Sequence, residues 1–150
     1  MVQRGGGVKD LRLRKLGPSQ IVCELFVNVK ESMGANIVNT VAEFTAPFIH
    51  SEIVAQGRLG LKILTNLCTE RMTMAEFEIP IEQLAWKGMP GIQVAEKILE
   101  AQRFAEIDQF RATTHNKGIM NGIDAVAVAM GQDWRAIESA AHSYASIGGQ

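Results

Sequence analysis

The sequence predicts an α+β protein whose β-rich first part is followed by a mainly helical second part. Apolar and charged residues alternate loosely over residues 8–16, which is the period of a half-exposed strand, and further strand-like apolar runs follow at residues 21–29 and 59–65. Positions 92–146 instead place apolar residues three or four apart, which is the spacing of amphipathic helices. We therefore predict two domains, residues 1–65 and residues 66–150.

Length, charge and cysteine content exclude several classes of protein. The 150 residues are 47% hydrophobic, which is enough for one sizeable core, and a net charge of −1 argues against nucleic-acid binding. No apolar run approaches the roughly 20 residues that a membrane helix needs, and the N-terminus does not resemble a secretory signal. Cys23 and Cys68 have no C-x-x-C spacing, so we expect no disulfide framework, no zinc site and a reducing, cytoplasmic location.

The first part begins with a predicted β-hairpin. Leucines alternate with charged residues over Val8–Leu16, and a second β-rich run covers Ile21–Val29. Between them, residues 17–19 read Gly-Pro-Ser, which is a turn signal. Two strands joined by a short turn should pair in antiparallel fashion, with Cys23 as a small core residue.

A helix and a third strand should complete the first part. Apolar residues recur at helical spacing from Asn36 to about Ile53, although Pro47 should kink or split this helix. The apolar run over Leu59–Thr65 predicts the third strand. Gly34, at the corner before the helix, would let backbone approach a ligand, and a helix N-terminus attracts phosphate. Taken alone, such a corner is more often a simple turn.

The second part is expected to contain helices separated by loops. Residues 72–79 still alternate, and Pro80 suits the first turn of a short helix. A broad apolar stripe predicts a strong helix over Ile92–Ile107. Asp133 is placed to cap a last helix that runs from Trp134 to about Ser146.

A polar cluster at residues 111–122 (RATTHNKGIMNG) contrasts with the apolar run that follows it at 123–130. Lys117 lies close to apolar sequence, where a partly desolvated ammonium could stabilise an oxyanion that forms on a carbonyl. Asp133 could come within ion-pair reach of Lys117 if the last two helices pack as a hairpin. The pattern leaves an alternative open, namely a solvated loop lysine and an ordinary capping aspartate.

Three further polar residues suit the recognition of a small ligand. Arg111 could bind a carboxylate or phosphate through both of its terminal nitrogens, and Asn66 and Asn121 could hydrogen-bond an amide or hydroxyl. Surface arginines and capping asparagines are the common alternatives. The three histidines have no metal-ligand spacing, so no metal site is predicted.

Several segments resemble class II hydroxymethylglutaryl-CoA reductases, the bacterial and archaeal class of that family. Residues 111–124 are similar to the segment with the catalytic lysine, and residues 131–138 (GQDWRAIE) to the segment with the catalytic aspartate. Residues 31–40 (ESMGANIVNT) resemble the cofactor signature of the family. Shorter matches occur at residues 4–7 and 64–67. The likeness covers the whole chain but only the central part of a family member.

The resemblance implies a fold and an activity. Residues 1–65 would be an incomplete, ferredoxin-like small domain that binds a dinucleotide, and residues 66–150 would belong to the large substrate-binding and catalytic domain. Family members convert hydroxymethylglutaryl-CoA to mevalonate and CoA by two hydride transfers from NADH or NADPH, or run the reverse reaction. They assemble as dimers with sites at the subunit interface. A homodimer or higher oligomer, with no nucleic-acid or membrane partner, is therefore expected.

The resemblance also implies a role for each matched residue. Lys117 would stabilise the developing oxyanion, and Asp133 would join the proton network around it. The residues that hold the hydroxymethylglutaryl part would be Arg111, Asn66 and Asn121. Those that contact the dinucleotide would be Glu31, Met33, Gly34 and Asn36.

Two departures from the family pattern qualify these expectations. The usual aspartate of the cofactor signature is Glu31 here, and its alanine is Ser32. Moreover, nothing in the chain matches the family's segment with a glutamate proton donor, nor the one with a histidine that protonates the departing thiolate. We therefore predict little or no turnover by the isolated chain. The alternative is a truncated, non-catalytic remnant that acts as a ligand-binding or oligomerisation module.

Overall fold

A computed structural model describes residues 2–53 and 56–147, and these residues form an α+β structure. The chain divides into two compact units, Met1–Thr65 and Asn66–Gln150. Within the described ranges, the first unit contains two strands and one α-helix, and the second contains three α-helices. In chain order the elements are β1 Gly7–Lys15, β2 Ile21–Asn28, α1 Ala35–Ile53, α2 Gly91–Ile107, α3 Gln109–Ala129 and α4 Trp134–Ser146.

The predicted hairpin is confirmed, because β1 and β2 pair in antiparallel fashion from Gly7 opposite Asn28 to Lys15 opposite Ile21. An ion pair between the strands joins Arg14 Nε to Glu24 Oε1 at 2.9 Å. Burial, with a further contribution from the Glu24 carboxylate, raises the pKa of the Cys23 thiol above its usual value. Cys23 is therefore neutral and only half-buried, rather than the core residue that the sequence predicted.

Helix α1 confirms the predicted helix and continues through Pro47 without being split. The predicted third strand at Leu59–Thr65 is wrong, because this segment has no regular structure. The polar groups of residues 59–65 contact α1 instead. The Leu64 backbone N–H donates to Asn39 Oδ1 at 2.8 Å, and Lys62 Nζ lies 3.3 Å from Glu43 Oε2. A strand forms only beside another strand, and this segment pairs with neither β1 nor β2.

The second unit confirms the predicted long helix α2 and the last helix α4. The short helix expected after Pro80 is a single 3-10 turn over Ile81–Leu84, which packs against the start of α2. The alternating residues 72–79 form no strand and are exposed, again because no described strand lies beside them. Periodicity alone therefore did not distinguish a strand from an extended segment without a partner.

Much of the apolar surface of the chain is uncovered. Among the described residues, the only buried hydrophobic residues are Val29, Met120 and Ala127. On α1, Phe44 and Phe48 are 85% and 68% exposed. No described helix is both long and apolar enough to span a membrane.

Candidate active site

Helix α3 contains the whole polar cluster that the sequence analysis singled out. It runs over 21 residues, from Gln109 to Ala129, so the polar residues and the apolar run that follows belong to one helix. Asp108 caps the helix, since its Oδ2 accepts a hydrogen bond from the Arg111 backbone N–H at 2.7 Å. Lys117 therefore lies in the middle of a helix, and the alternative of a loop lysine was wrong.

Lys117 and Asn121 are in direct contact one turn apart on α3. Lys117 Nζ donates a hydrogen bond to Asn121 Oδ1 at 2.8 Å. Both side chains are exposed in the described structure, so the predicted partial desolvation of the ammonium is not observed. The contact uses one of the three ammonium protons, and the other two remain able to stabilise an oxyanion on a carbonyl substrate.

Asp133 caps helix α4, as predicted. Its Oδ1 accepts from the Ala136 backbone N–H at 3.1 Å. A tight turn joins α3 to α4, in which Gly131 has φ +68° and the Gln132 backbone N–H donates to the Ala127 carbonyl at 2.8 Å. No ion pair joins Asp133 to Lys117 among the described residues. Asp133 thus lies in the same unit as the lysine but does not contact it directly here.

The structure brings only two of the predicted catalytic and substrate residues together. Lys117 and Asn121 touch, whereas Arg111 is half-buried near the start of α3. Asn66 is exposed at the beginning of the second unit, and its side chain makes no hydrogen bond to α3 within the described ranges. Any convergence of Arg111, Asn66 and Asp133 on the lysine therefore depends on a bound substrate or on further protein.

A shallow depression between α3 and α4 contains a residue that the sequence analysis missed. Its volume is about 460 Å³, and it is lined by Asn121, Asp124, Ala125, Val128 and Trp134. Oδ1 of Asp124 is shielded from solvent and has no hydrogen-bond partner in the described structure. Its position three residues after Asn121 was the available signal, because that spacing places both side chains on one face of a helix.

The glycine corner before α1 packs closely against Val29. Gly34 is buried, with φ +92°, and a Cβ built on it would lie 2.7 Å from Val29 Cγ2. The first turn of α1 has no acidic residue. Glu31, Met33 and Asn36 are exposed around this corner. The N-terminus of α1, with an exposed acid and an exposed amide beside it, suits a dinucleotide, whose diphosphate and hydroxyls need such partners.

Substituting Gly34 with alanine should destabilise the first unit by about 1–3 kcal/mol, because positive φ and the contact with Val29 both oppose a side chain. Chemical denaturation followed by circular dichroism measures the change. Gly60→Ala is the matched control, since a Cβ at Gly60 meets nothing within 4 Å. Equal unfolding midpoints for both variants would contradict this assignment.

No cluster of three or more histidine, cysteine or carboxylate side chains in the described ranges could hold a metal ion.

The family model of hydroxymethylglutaryl-coenzyme A reductase matches residues 1–149 of the chain. The chain belongs to the hydroxymethylglutaryl-coenzyme A reductase family. Curated relatives agree with this reductase assignment. The 3-hydroxy-3-methylglutaryl-coenzyme A reductase of Archaeoglobus fulgidus is 44% identical over 152 residues, which cover 99% of this chain and 33% of the relative.

A probable reductase of Borreliella burgdorferi is 35% identical over 153 residues, covering 100% of this chain and 35% of the relative. This member of the reductase family therefore spans about a third of the length of the curated relatives it matches. A solved reductase of Streptococcus pneumoniae superposes with a TM-score of 0.84 at 39% identity, covering 99% of this chain and 40% of that one.

A class II reductase from the same organism, solved with NADPH in open conformations, has the same TM-score and sequence identity. The match covers 99% of this chain and 36% of that one. The resemblance to class II reductases is thus confirmed, and the α+β architecture matches the reductase fold.

Proposed function

We propose that this chain contributes the central part of a reductase that interconverts hydroxymethylglutaryl-CoA and mevalonate, with two hydride transfers from NADPH or NADH. The observation that carries the proposal is the Lys117–Asn121 contact on α3, within the segment that matches the family's catalytic lysine. Family membership and a structural neighbour bound to NADPH support the same reaction.

Lys117 is the proposed electrophilic residue. Its ammonium, oriented by Asn121 Oδ1, would donate hydrogen bonds to the oxygen that becomes negative on the thioester carbonyl and then on the aldehyde. Asp133 would join the proton network around Lys117 once substrate or further protein bridges the two residues. Arg111, with Asn66 and Asn121, would hold the hydroxymethylglutaryl group, because a guanidinium and two amides suit its carboxylate and hydroxyl.

We propose that the first unit, residues 1–65, is an incomplete ferredoxin-like domain that binds the dinucleotide, and that residues 66–150 belong to the large catalytic domain. A bound nicotinamide cofactor supplies the hydride. Gly34 would let backbone approach the diphosphate, and Met33 and Asn36 would contact the dinucleotide beside it. Glu31 would accept a hydrogen bond from a ribose hydroxyl, a role that its carboxylate can fill despite being longer than aspartate.

The extent of exposed apolar surface supports association with another copy of this chain, as a homodimer or higher oligomer. The same observation favours a second candidate function, in which the chain is a non-catalytic remnant that acts as a ligand-binding or oligomerisation module. Ligand binding that depends on Arg111 supports the reductase role, whereas an oligomer without affinity for hydroxymethylglutaryl-CoA supports the module.

Arg111→Ala should weaken binding of hydroxymethylglutaryl-CoA by about tenfold or more, because it removes a charge-assisted hydrogen bond to the ligand carboxylate. Isothermal titration calorimetry on the 150-residue chain measures this change, and NADPH affinity should stay the same. Arg103→Ala, at an exposed position of α2, is the matched control. Unchanged affinity in the Arg111 variant would remove Arg111 from the substrate site, and no binding by the unmodified chain would overturn the proposed function.

A further inference from the structure

Asp124 on α3 is unusual because one of its carboxylate oxygens is enclosed without a hydrogen-bond partner. Oδ1 is shielded from solvent, and no described group donates to it. Leaving such an oxygen unsatisfied costs about 1–3 kcal/mol or more, and buried polar atoms in folded proteins nearly always have a partner. A donor within reach of Asp124 is therefore required.

Two side-chain donors share the depression with Asp124, namely the Asn121 amide and the Trp134 indole N–H. Asn121 is three residues before Asp124, so the two side chains are neighbours on one helix face. Helical side chains lean towards the N-terminus of their own helix, which brings the Asp124 carboxylate towards Asn121. Asn121 is the nearer donor by this argument.

The contact with Lys117 determines which end of the Asn121 amide remains available. A lysine ammonium has only donors, so the amide oxygen must face Lys117 and the amide nitrogen must point away from it. That nitrogen carries two protons, for which the described part of the chain shows no acceptor. The unused donor of Asn121 and the unused acceptor of Asp124 thus lie one turn apart on the same face of α3.

We propose that Asp124 is a positioning residue for Lys117 that acts through Asn121. The two atoms are not bonded in the described structure. We infer that a rotation of these side chains brings Asn121 Nδ2 to Asp124 Oδ1, and that this bond then holds the amide with its oxygen towards the lysine ammonium. The consequence for catalysis rests on the proposed function, in which Lys117 meets the substrate. The hydrogen bond itself is a property of α3 and can be tested separately.

The test measures how fast the side-chain amide protons of Asn121 exchange with solvent, by NMR on the 150-residue chain without ligand. They should exchange about tenfold more slowly than those of Asn36, an exposed asparagine of the other unit. Asp124→Asn keeps an acceptor oxygen and should keep this protection. Asp124→Leu keeps the approximate shape but has no acceptor, and should remove the protection.

Trp134→Phe removes the other donor in the depression and should leave Asn121 exchange unchanged. Asn121 protons that exchange as fast as those of Asn36 in the unmodified chain would overturn the proposal, and that measurement does not depend on whether Asp124→Leu folds. Loss of protection in Asp124→Asn as well would overturn it too, because an acceptor oxygen is still present. Protection of the Trp134 indole N–H that Asp124→Leu abolishes would assign the bond to Trp134 instead.

A kinetic measurement tests the positioning role. In a reductase that contains this segment, Asp124→Leu should lower kcat about tenfold at unchanged KM for NADPH, and Asp124→Asn should restore most of the rate. Slow exchange of Asn121 in the unmodified protein, together with an unchanged kcat in Asp124→Leu, would overturn the positioning role. If the unmodified protein does not act on hydroxymethylglutaryl-CoA, the proposed function fails, and the exchange rates still decide whether Asp124 holds Asn121.

Discussion

Lys117→Ala should lower the rate of NADPH oxidation with hydroxymethylglutaryl-CoA by about 10²–10³-fold, because it removes the proposed hydrogen-bond donor to the developing oxyanion. Absorbance of the nicotinamide follows the reaction in a reductase that contains this segment. Substrate affinity should change little, since the interaction strengthens in the transition state. An exposed lysine in a helix tolerates alanine, so the far-ultraviolet circular dichroism should not change.

Lys97→Ala is the matched control, because Lys97 is an exposed lysine of α2 in the same unit. Full activity in Lys117→Ala would contradict the role assigned to this residue. The isolated 150-residue chain should bind both ligands with little turnover. Rapid turnover by that chain, lost in Lys117→Ala, would instead mean that the glutamate and histidine expected from the family resemblance are dispensable.

Gly91→Ala should produce the largest loss of stability, about 3 kcal/mol in the free energy of unfolding. Gly91 is buried at the first position of α2, and a Cβ built there would lie 1.8 Å from the backbone oxygen of Ile81. Because backbone cannot move aside as a flexible side chain can, the 3-10 turn over Ile81–Leu84 must detach from α2. Chemical denaturation measures the change.

Gly122→Ala is a control in which the free energy of unfolding should change in the opposite direction. Gly122 lies inside α3, and a Cβ there meets nothing within 4 Å. Alanine is the better helix former, so this variant should gain about 0.5–1 kcal/mol. A destabilised Gly122→Ala or an unaffected Gly91→Ala would show that these glycines are not in the environments described.

Local patterns in the sequence predicted the elements that depend on local interactions. The apolar stripe of 92–107 and the capping residue Asp133 were sufficient because helix hydrogen bonds and caps join residues a few positions apart. The hairpin was predictable for a similar reason, since a short turn brings β1 and β2 together. The strand predicted at residues 59–65 was wrong because a strand needs a neighbouring strand to pair with, and a local pattern does not indicate whether one is present.

In the candidate site, too, the sequence predicted the local features but not those that depend on packing between helices. A run of polar residues in 111–122 suggested a site beside a helix, whereas the Asp108 cap extends one helix across the whole cluster. Asp108, three residues before Arg111, was a capping signal already present in the sequence. Asp124 went unnoticed because nothing in its sequence neighbours shows that one oxygen becomes enclosed. The burial of this oxygen depends on how α3 packs against α4, and no local sequence pattern predicts that packing.

The uncovered apolar faces of α1 and α2 affect how much folded protein a cell can maintain. Only three hydrophobic residues are buried among those described. The free energy gained by burying apolar surface within the chain is therefore small compared with the conformational entropy that the chain loses on folding. Folding and association then form a single equilibrium, in which mass action makes the folded population rise with the concentration of the covering surface. Copies whose apolar faces stay uncovered are expected to be substrates for chaperones and proteases, so the abundance of the chain should follow the concentration of any surface that covers them.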